Sequence, residues 1–377
     1  MGNFENEMQQ PKQTNTPTRS NRKQNKNLIK FGAVALALCL CLLVYNISGC
    51  RKTTVENIYS FENASNYQIG EYKGKILTVS YDGIKLLNLD GSQSTSLEFH
   101  MSSPHLDVSG NMILLYDKGN KNLVVYDGTK KLYSYECDQA IKTAKVNKNG
   151  YVVLISDEIA YNSRVTVLDN KGEDTYIWKI GDEYIVDTDI SADNKKLVAT
   201  TISTTTGEIV ENVVFVDIKA AEETGRAKSS GDMPLQVNFA NSGNAIVLSD
   251  TRLCSYDASA KKKWEASFES NLLDSFAMDE EGNTVVALRG IKNNNVIKTY
   301  TKNGTKSGEY TTETQVLHVD MNQKNIAVCE KSKVSIINFS GKLVADTEIK
   351  RDVQDISVVN DNKVLMLCDD CIQLLKL

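Results

Sequence analysis

The sequence has few of the residues from which catalytic and metal sites are commonly built. Its three histidines, His100, His105 and His318, form no closely spaced metal-binding pair. No Gly-x-Ser-x-Gly turn, phosphate-binding loop or specifically spaced pair of carboxylates occurs. These absences predict a protein that is not an enzyme, with no catalytic residue, no metal ion and no cofactor.

Proline is also scarce, with four residues in 377, whereas strand-forming side chains are frequent. The hydrophobic content of 41% and the charged content of 24% are typical of a globular protein and not of a disordered chain. The composition therefore predicts a globular protein of the all-β class.

Basic residues are in surplus only at the N-terminus. Residues 1–30 hold six of the 43 basic residues and two of the 48 acidic ones, so the rest of the chain has nine more acidic than basic residues. A nucleic-acid-binding surface needs a concentrated basic face. The charge distribution therefore predicts that the protein does not bind nucleic acid.

The N-terminal region predicts a membrane anchor. Residues 1–27 are polar and contain almost nothing to bury, which is typical of a disordered tail. Residues 28–47 form an apolar stretch long enough to cross a bilayer as one helix. Since six basic residues precede the stretch and only Arg51 and Lys52 closely follow it, we expect a cytoplasmic tail and an extracytoplasmic remainder in the cell membrane.

A lipoprotein is the alternative anchor. Ile47-Ser48-Gly49-Cys50 resembles a bacterial lipobox, in which the cysteine is lipidated and everything before it is removed. The apolar core of fifteen residues also suits the hydrophobic region of a signal peptide, although the basic segment before it is longer than in most lipoprotein signals. Both alternatives tether the remaining residues to the membrane.

From residue 55 onward the chain repeats one pattern of four short strands separated by turns. The first turn of each unit, apart from the first unit, reads DVSGN, VNKNG, SADNK, ANSGN, DEEGN, MNQKN and VNDNK. The units begin near Tyr67, Pro104, Ile141, Ile185, Pro234, Leu272, Gln315 and Val353. A four-stranded unit of about 40 residues is typical of a propeller blade. Residues 55–377 are therefore predicted to form an eight-bladed β-propeller, with seven blades as the alternative.

The two ends of the repeat region predict how the ring closes. The last unit has three strands, and Val55–Phe61 is an additional strand ahead of the first unit. This strand can complete the last blade and so remove an exposed sheet edge. Trp264–Met278 could also be a helix by its apolar spacing, but the repeat places Trp264 in a fourth strand and Met278 in a first strand.

The turns and tryptophans resemble those of known propellers. The turns VLDNKGE and SYDASAKK, which are followed by strands with Trp178 and Trp264, resemble turns in the blades of PQQ-like and WD-repeat propellers. A basic tail, one span and one propeller also resemble an uncharacterised family of membrane-anchored propellers of Gram-positive bacteria. The resemblance implies an architecture and names no ligand.

One polar column emerges when the units are aligned. The residue before the last apolar position of each first strand is Gln68, Asp107, Lys145, Asp189, Asn238, Ala277, Asp320 or Ser357. Because alternate residues of a strand face opposite sides, this column is expected to lie along the central channel. The polar members either bind a small polar ligand or cation or hydrogen-bond neighbouring blades.

Two further features are local. Cys368 and Cys371 flank a two-residue turn, a spacing that permits a disulfide. Residues 219–232 of the fourth unit are predicted to form a polar surface loop.

These observations favour a non-enzymatic binding or scaffold module for an envelope protein or a cell-wall component. The alternative is a ligand sensor or enzyme that uses the central channel.

Overall fold

The computed structural model describes residues 51–61, 67–204, 207–291 and 294–377. The chain divides into two units between Cys50 and Arg51, and all described residues belong to the second. The predicted tail, the predicted span and Cys50 lie outside the described residues. Within the described ranges, no helix is long and apolar enough to cross a membrane.

The second unit is an eight-bladed β-propeller, as the repeat predicts. Each blade is an antiparallel sheet of four strands, and a single strand, β1 (Thr54–Ser60), precedes the first complete blade. Blade 1 comprises β2 (Gln68–Tyr72), β3 (Lys75–Ser80), β4 (Gly83–Leu87) and β5 (Gln93–Glu98). Blade 2 comprises β6 (Pro104–Ser109), β7 (Met112–Asp117), β8 (Asn122–Asp127) and β9 (Lys130–Glu136). Blade 3 comprises β10 (Ile141–Val146), β11 (Val152–Glu158), β12 (Tyr161–Leu168) and β13 (Asp174–Ile180).

The later blades repeat this order from the innermost to the outermost strand. Blade 4 comprises β14 (Tyr184–Ile190), β15 (Lys196–Ser203), β16 (Val210–Asp217) and β17 (Glu222–Ser230). Blade 5 comprises β18 (Pro234–Phe239), β19 (Ala245–Ser249), β20 (Arg252–Tyr256) and β21 (Lys262–Ser267). Blade 6 comprises β22 (Leu272–Met278), β23 (Thr284–Arg289), β24 (Asn295–Tyr300) and β25 (Lys306–Thr312). Blade 7 comprises β26 (Val316–Met321), β27 (Asn325–Glu330), β28 (Lys333–Asn338) and β29 (Leu343–Glu348).

Blade 8 closes the ring with a strand from the other end of the repeat region. It contains β30 (Val353–Asn360), β31 (Lys363–Cys368) and β32 (Cys371–Lys376), and β1 is its fourth strand. Thr54 pairs with Lys376, and Ser60 pairs with Cys371. The prediction that Val55–Phe61 supplies the missing outer strand is therefore confirmed.

The turns lie at two opposite ends of the strands, which we call the upper and lower faces. The upper face is formed by the turns between second and third strands and by the connections between blades. The lower face is formed by the turns between first and second and between third and fourth strands. Arg51 joins the propeller at the lower face, where its N–H donates to the Val344 carbonyl at 3.0 Å. Strand β1 then runs to the upper face.

The core lies between neighbouring blades. Buried apolar residues fall into eight clusters, and each cluster combines two adjacent blades. Second and third strands are covered on both sides, which explains their nearly continuous apolar runs. Outermost strands cover the core with one side only, and their burial alternates, as in β21. Burial of apolar surface between sheets thus holds the ring together.

One prediction from the sequence needs correction, and the structure describes the two cysteines of another. Residues 219–232 are mostly not a loop, because β17 pairs with β16 from Glu222 to Ser230. As an outermost strand, β17 is largely exposed, so its polar sequence resembles that of a loop. Cys368 and Cys371 are free, buried thiols in the structure, and their disulfide stays a prediction. Burial raises the pKa of Cys368 to about 12, which disfavours the thiolate needed for oxidation.

We expect that removing β1 opens the ring. A chain that begins at Phe61 would expose the edge of β32 and lose the packing of Ile58 and Tyr59 on the core. Its Tm should fall by at least about 5 °C relative to a chain that begins at Arg51, and it should self-associate. Scanning calorimetry and light scattering would measure both properties. Equal Tm values for two monomeric chains would contradict this role of β1.

Candidate functional site

The predicted polar column lies on the innermost strands of the eight blades. We call it the lower ring, since it lies near the end of each strand that meets the lower face. Its members are Gln68, Asp107, Lys145, Asp189, Asn238, Ala277, Asp320 and Ser357. All eight are half-buried, as expected of a channel wall.

A β-bulge recurs in six of the eight strands that carry these side chains. In blades 3 to 8 the register of the innermost strand shifts near its start, for example between Ile141 and Thr143. The additional residue lets Ile141 and Ala144 both enter the core, while Thr143 and Lys145 face the channel. The bulge therefore lets the same short strand serve the core and the channel.

A second polar ring lies two residues earlier on the same strands. We call it the upper ring, and its members are His105, Thr143, Asp187, Gln236, Ser275, His318 and Asp355. Sequence reasoning missed this ring, although the two-residue period of a strand was the signal that could have found it. Burial lowers the pKa of His318, which keeps its imidazole neutral at pH 7.

Both rings hydrogen-bond the inner edges of neighbouring blades. At the lower ring, Asp107 accepts the Val146 N–H at 2.7 Å, Asp189 accepts that of Phe239 at 2.6 Å, and Asp320 accepts that of Val358 at 2.7 Å. Each of these donors belongs to the next blade. The same kind of contact joins Gln68 to Leu106, Asp187 to Val237 and Ser275 to Val319. These side chains satisfy N–H groups that have no strand partner.

Lys145 braces three blades. Its Nζ lies 2.6 Å from Asp187 Oδ2 on blade 4 and 2.9 Å from both the Val237 carbonyl and Asn238 Oδ1 on blade 5. The side chains of Lys145 and Asp187 are 17% and 8% exposed, so this ion pair is largely removed from water. The three contacts use the three N–H donors of the ammonium group.

Burial perturbs the ionisable groups of both rings. It raises the pKa of Asp189, of Asp320 and of Asp355 to about 6 in each case. Burial also raises the pKa of Asp107, although the Val146 N–H and Lys145 oppose the shift. For Lys145, burial acts to lower the pKa, but the carboxylates of Asp187 and Asp189 outweigh it and the net shift is upward.

The structure brings together only part of the predicted column. Asp107, Lys145, Asp189 and Asn238 line one cavity of about 330 Å³ that opens at the lower face. Gln68, Asp320 and Ser357 lie on blades 1, 7 and 8, which do not contribute to this cavity. Gln236 and Met278 also line it and were not predicted.

The cavity wall is equipped for binding. Its carboxylate and amide oxygens accept hydrogen bonds, and its ammonium group is already paired. Such a wall can hold a ligand that donates hydrogen bonds, and this property of Asp107 and Asp189 remains a prediction. Within the described residues, no group of three His, Cys, Asp or Glu side chains is placed to hold a metal ion.

A family model matches residues 47–377 and is described as a family of unknown function (DUF5711). The chain belongs to this family. The match spans the whole propeller of this DUF5711 member, so the eight blades are part of the family's common region. No curated protein matches the chain.

Several solved structures share the fold of this DUF5711 propeller. The C-terminal WD40 domain of Sif2 aligns with a TM-score of 0.64 and 12% identity, covering 86% of this chain and 98% of that domain. BamB from Moraxella catarrhalis aligns with a TM-score of 0.56 and 11% identity, covering 86% of this chain and 100% of BamB. The Dos1 propeller aligns with a TM-score of 0.53 and 12% identity, covering 73% of this chain and 78% of the Dos1 chain. At these identities the likeness shows the fold alone. It confirms the predicted propeller, while the membrane-anchored Gram-positive family stays a prediction.

Replacing Lys145 should destabilise the propeller strongly. Lys145→Met leaves the buried carboxylate of Asp187 without its counter-ion, and breaking such a pair costs about 3–5 kcal/mol of unfolding free energy. Lys142→Met is a matched control, because Lys142 lies in the same strand but pairs with Asp157 at the surface. Its cost should stay below about 1 kcal/mol. Urea unfolding measures both values, and similar costs would contradict the role of Lys145 as a brace.

The ring carboxylates should make stability depend on pH. The pKa of Asp320 is about 6 in the folded state against an ordinary value of 3.8, so the folded state binds the proton more tightly than the unfolded state. Lowering the pH from 7 to 4 should therefore stabilise the fold through this group, by about 1–3 kcal/mol. Asp320→Asn keeps an acceptor for the Val358 N–H and should lose this gain.

Urea unfolding at pH 7 and pH 4.5 would test the effect as the difference between wild type and Asp320→Asn. Asp90→Asn is the control, because hydrogen bonds from Ser92 lower the pKa of the exposed Asp90. Lowering the pH should therefore destabilise the fold through Asp90, and Asp90→Asn should remove this loss of stability. An unchanged pH dependence in Asp320→Asn would contradict the assignment.

Proposed function

We propose that this protein is a membrane-anchored, extracytoplasmic propeller that binds another protein of the cell envelope through its upper face. It acts as a non-enzymatic scaffold. The observation that carries the proposal is the distribution of exposed apolar side chains over the two faces.

Twelve large hydrophobic side chains are exposed in the described part of the chain, and ten of them lie at the upper face. The ten are Tyr81, Ile159, Tyr161, Tyr184, Ile209, Met233, Leu235, Leu272, Ile291 and Leu317. The remaining two, Val55 and Ile177, lie in the outer strands β1 and β13. Clustered exposed apolar side chains mark protein interaction sites, whereas scattered ones do not.

Four of the ten side chains surround the centre of the upper face. Tyr184, Leu235, Leu272 and Leu317 stand at the starts of the innermost strands of blades 4 to 7, around the mouth of the channel. Leu235 and Leu317 are the additional residues of the bulges in β18 and β26, which turn them away from the core. An apolar centre with tyrosines around it is typical of protein interfaces.

The direction of β1 supports a binding role for this face. The chain joins the propeller at the lower face, where the Arg51 guanidinium also donates to Asn362 Oδ1 at 2.9 Å. The chain therefore enters the propeller at the face opposite the proposed interface. The positive-inside pattern of the sequence supports the extracytoplasmic location of the propeller.

Upper-face substitutions should remove the partner. Leu272→Glu and Ile291→Glu place a carboxylate in the proposed interface, and a buried unpaired charge should weaken binding at least tenfold. Ile177→Glu and Val55→Glu make the same chemical change away from this face and should bind normally. In-cell cross-linking of the tagged full-length protein, followed by mass spectrometry, would measure recovery of the cross-linked envelope protein.

Equal loss of the partner in all four variants, or no loss in any, would contradict the assignment of the interface. The mass of the tagged protein itself would also distinguish a membrane-spanning helix from a lipid anchor. Residues 1–49 are retained if the span is a helix, whereas the chain begins at a lipidated Cys50 if it is a lipoprotein.

A further inference from the structure

The cavity at the lower ring has a composition that the proposed scaffold does not use. It lies between the innermost strands of blades 2 to 6 and opens at the lower face, away from the apolar upper face. Its volume of about 330 Å³ is at the lower end of the range for ligand pockets.

The charges on the wall do not balance. Asp107 and Asp189 line the cavity together with one cation of the rings, Lys145, whose ammonium group is already paired with Asp187 of the upper ring. At the rim, Asp279 and Glu280 exceed Lys148 by a further negative charge. The cavity therefore has excess negative charge in partly desolvated surroundings. The electrostatic attraction between this charge and an added cation is stronger there than it would be in bulk water.

The donors and acceptors on the wall are equally unbalanced. Lys145 donates its three N–H groups to Asp187, Val237 and Asn238, so it has none left for a ligand. Each ionised carboxylate has about four acceptor positions. Asp189 uses one on the Ile190 N–H and one on the Phe239 N–H, and Asp107 accepts the N–H of Val146. The wall therefore offers acceptors, and a complementary ligand must supply the donors.

The acceptors around Lys145 show that the wall accommodates an ammonium group as the hydrogen-bond donor. A carboxylate, a backbone carbonyl and an amide oxygen surround the ammonium group of Lys145 at 2.6–2.9 Å. Since no group of three possible metal ligands occurs among the described residues, an organic cation fits this wall better than a metal ion.

We propose that this cavity binds a small organic cation with at least one primary ammonium group, and that Asp107 and Asp189 accept its hydrogen bonds. The inference goes beyond the proposed scaffold and does not depend on it, because the cavity and the apolar upper face lie at opposite ends of the strands.

The test uses the purified full-length protein and three probes of similar length and different charge. The probes are 1,4-diaminobutane, 1,4-butanediol and succinate. Isothermal titration calorimetry at 150 mM NaCl, supported by the shift in Tm, would measure binding. We expect saturable binding of the diamine and at least tenfold weaker binding of the diol and of succinate, because only the diamine supplies both donors and positive charge.

Three substitutions locate the binding site. Asp189→Asn and Asp107→Asn each keep an acceptor for the backbone N–H of the next blade but remove a negative charge, so each should weaken diamine binding at least tenfold. Asp320→Asn is the matched control, since Asp320 belongs to the same ring and accepts the Val358 N–H but does not line the cavity. It should bind the diamine as wild type does. Circular dichroism would confirm that each variant is folded.

Three results would overturn the proposal. They are no saturable diamine binding by the folded wild type, equal affinity for the diamine and the diol, and equal weakening by Asp320→Asn and Asp189→Asn. The upper-face variant Leu272→Glu should leave diamine binding unchanged, so failure of the scaffold and failure of the cation site give different results.

Discussion

The inner edge of each blade sets the main constraint on this molecule. An innermost strand has a neighbouring strand on one side only, and its other edge presents N–H groups to the channel. Buried or half-buried N–H groups need acceptors. Side chains such as Asp107, Asp189 and Asp320 supply them by reaching from one blade to the backbone of the next. The polar lining of the channel is thus first a requirement of the fold.

This requirement creates the chemistry of the channel. Carboxylates that accept backbone N–H groups are held in a partly desolvated wall, which raises the pKa of Asp189 and of Asp320 to about 6. Lys145 neutralises part of the charge and ties blade 3 to blades 4 and 5. The carboxylates that remain unneutralised line the cavity, so the same side chains join neighbouring blades and give the cavity wall its negative charge.

The bulges of the innermost strands affect both the channel and the upper face. By adding one residue near the start of six innermost strands, they keep the residue before the bulge packed on the core and direct the ring residues into the channel. The same bulges expose Leu235 and Leu317 at the upper face. A local feature of strand register therefore contributes both to the polar lower cavity and to the apolar upper surface, which suit ligands of different chemistry.

The sequence by itself determined the architecture, because a period of four strands with turns at fixed positions leaves few alternatives to a propeller. Every predicted blade start lies within one residue of the observed first strand, and the closing strand was found from the incomplete last repeat. The tertiary structure alone decided which column members meet. Lys145 and Asn238 are 93 positions apart, and only the curvature of the ring brings them within 2.9 Å. It also decided that β17 pairs as a strand, because an outer strand has too little buried surface to leave an apolar pattern in the sequence.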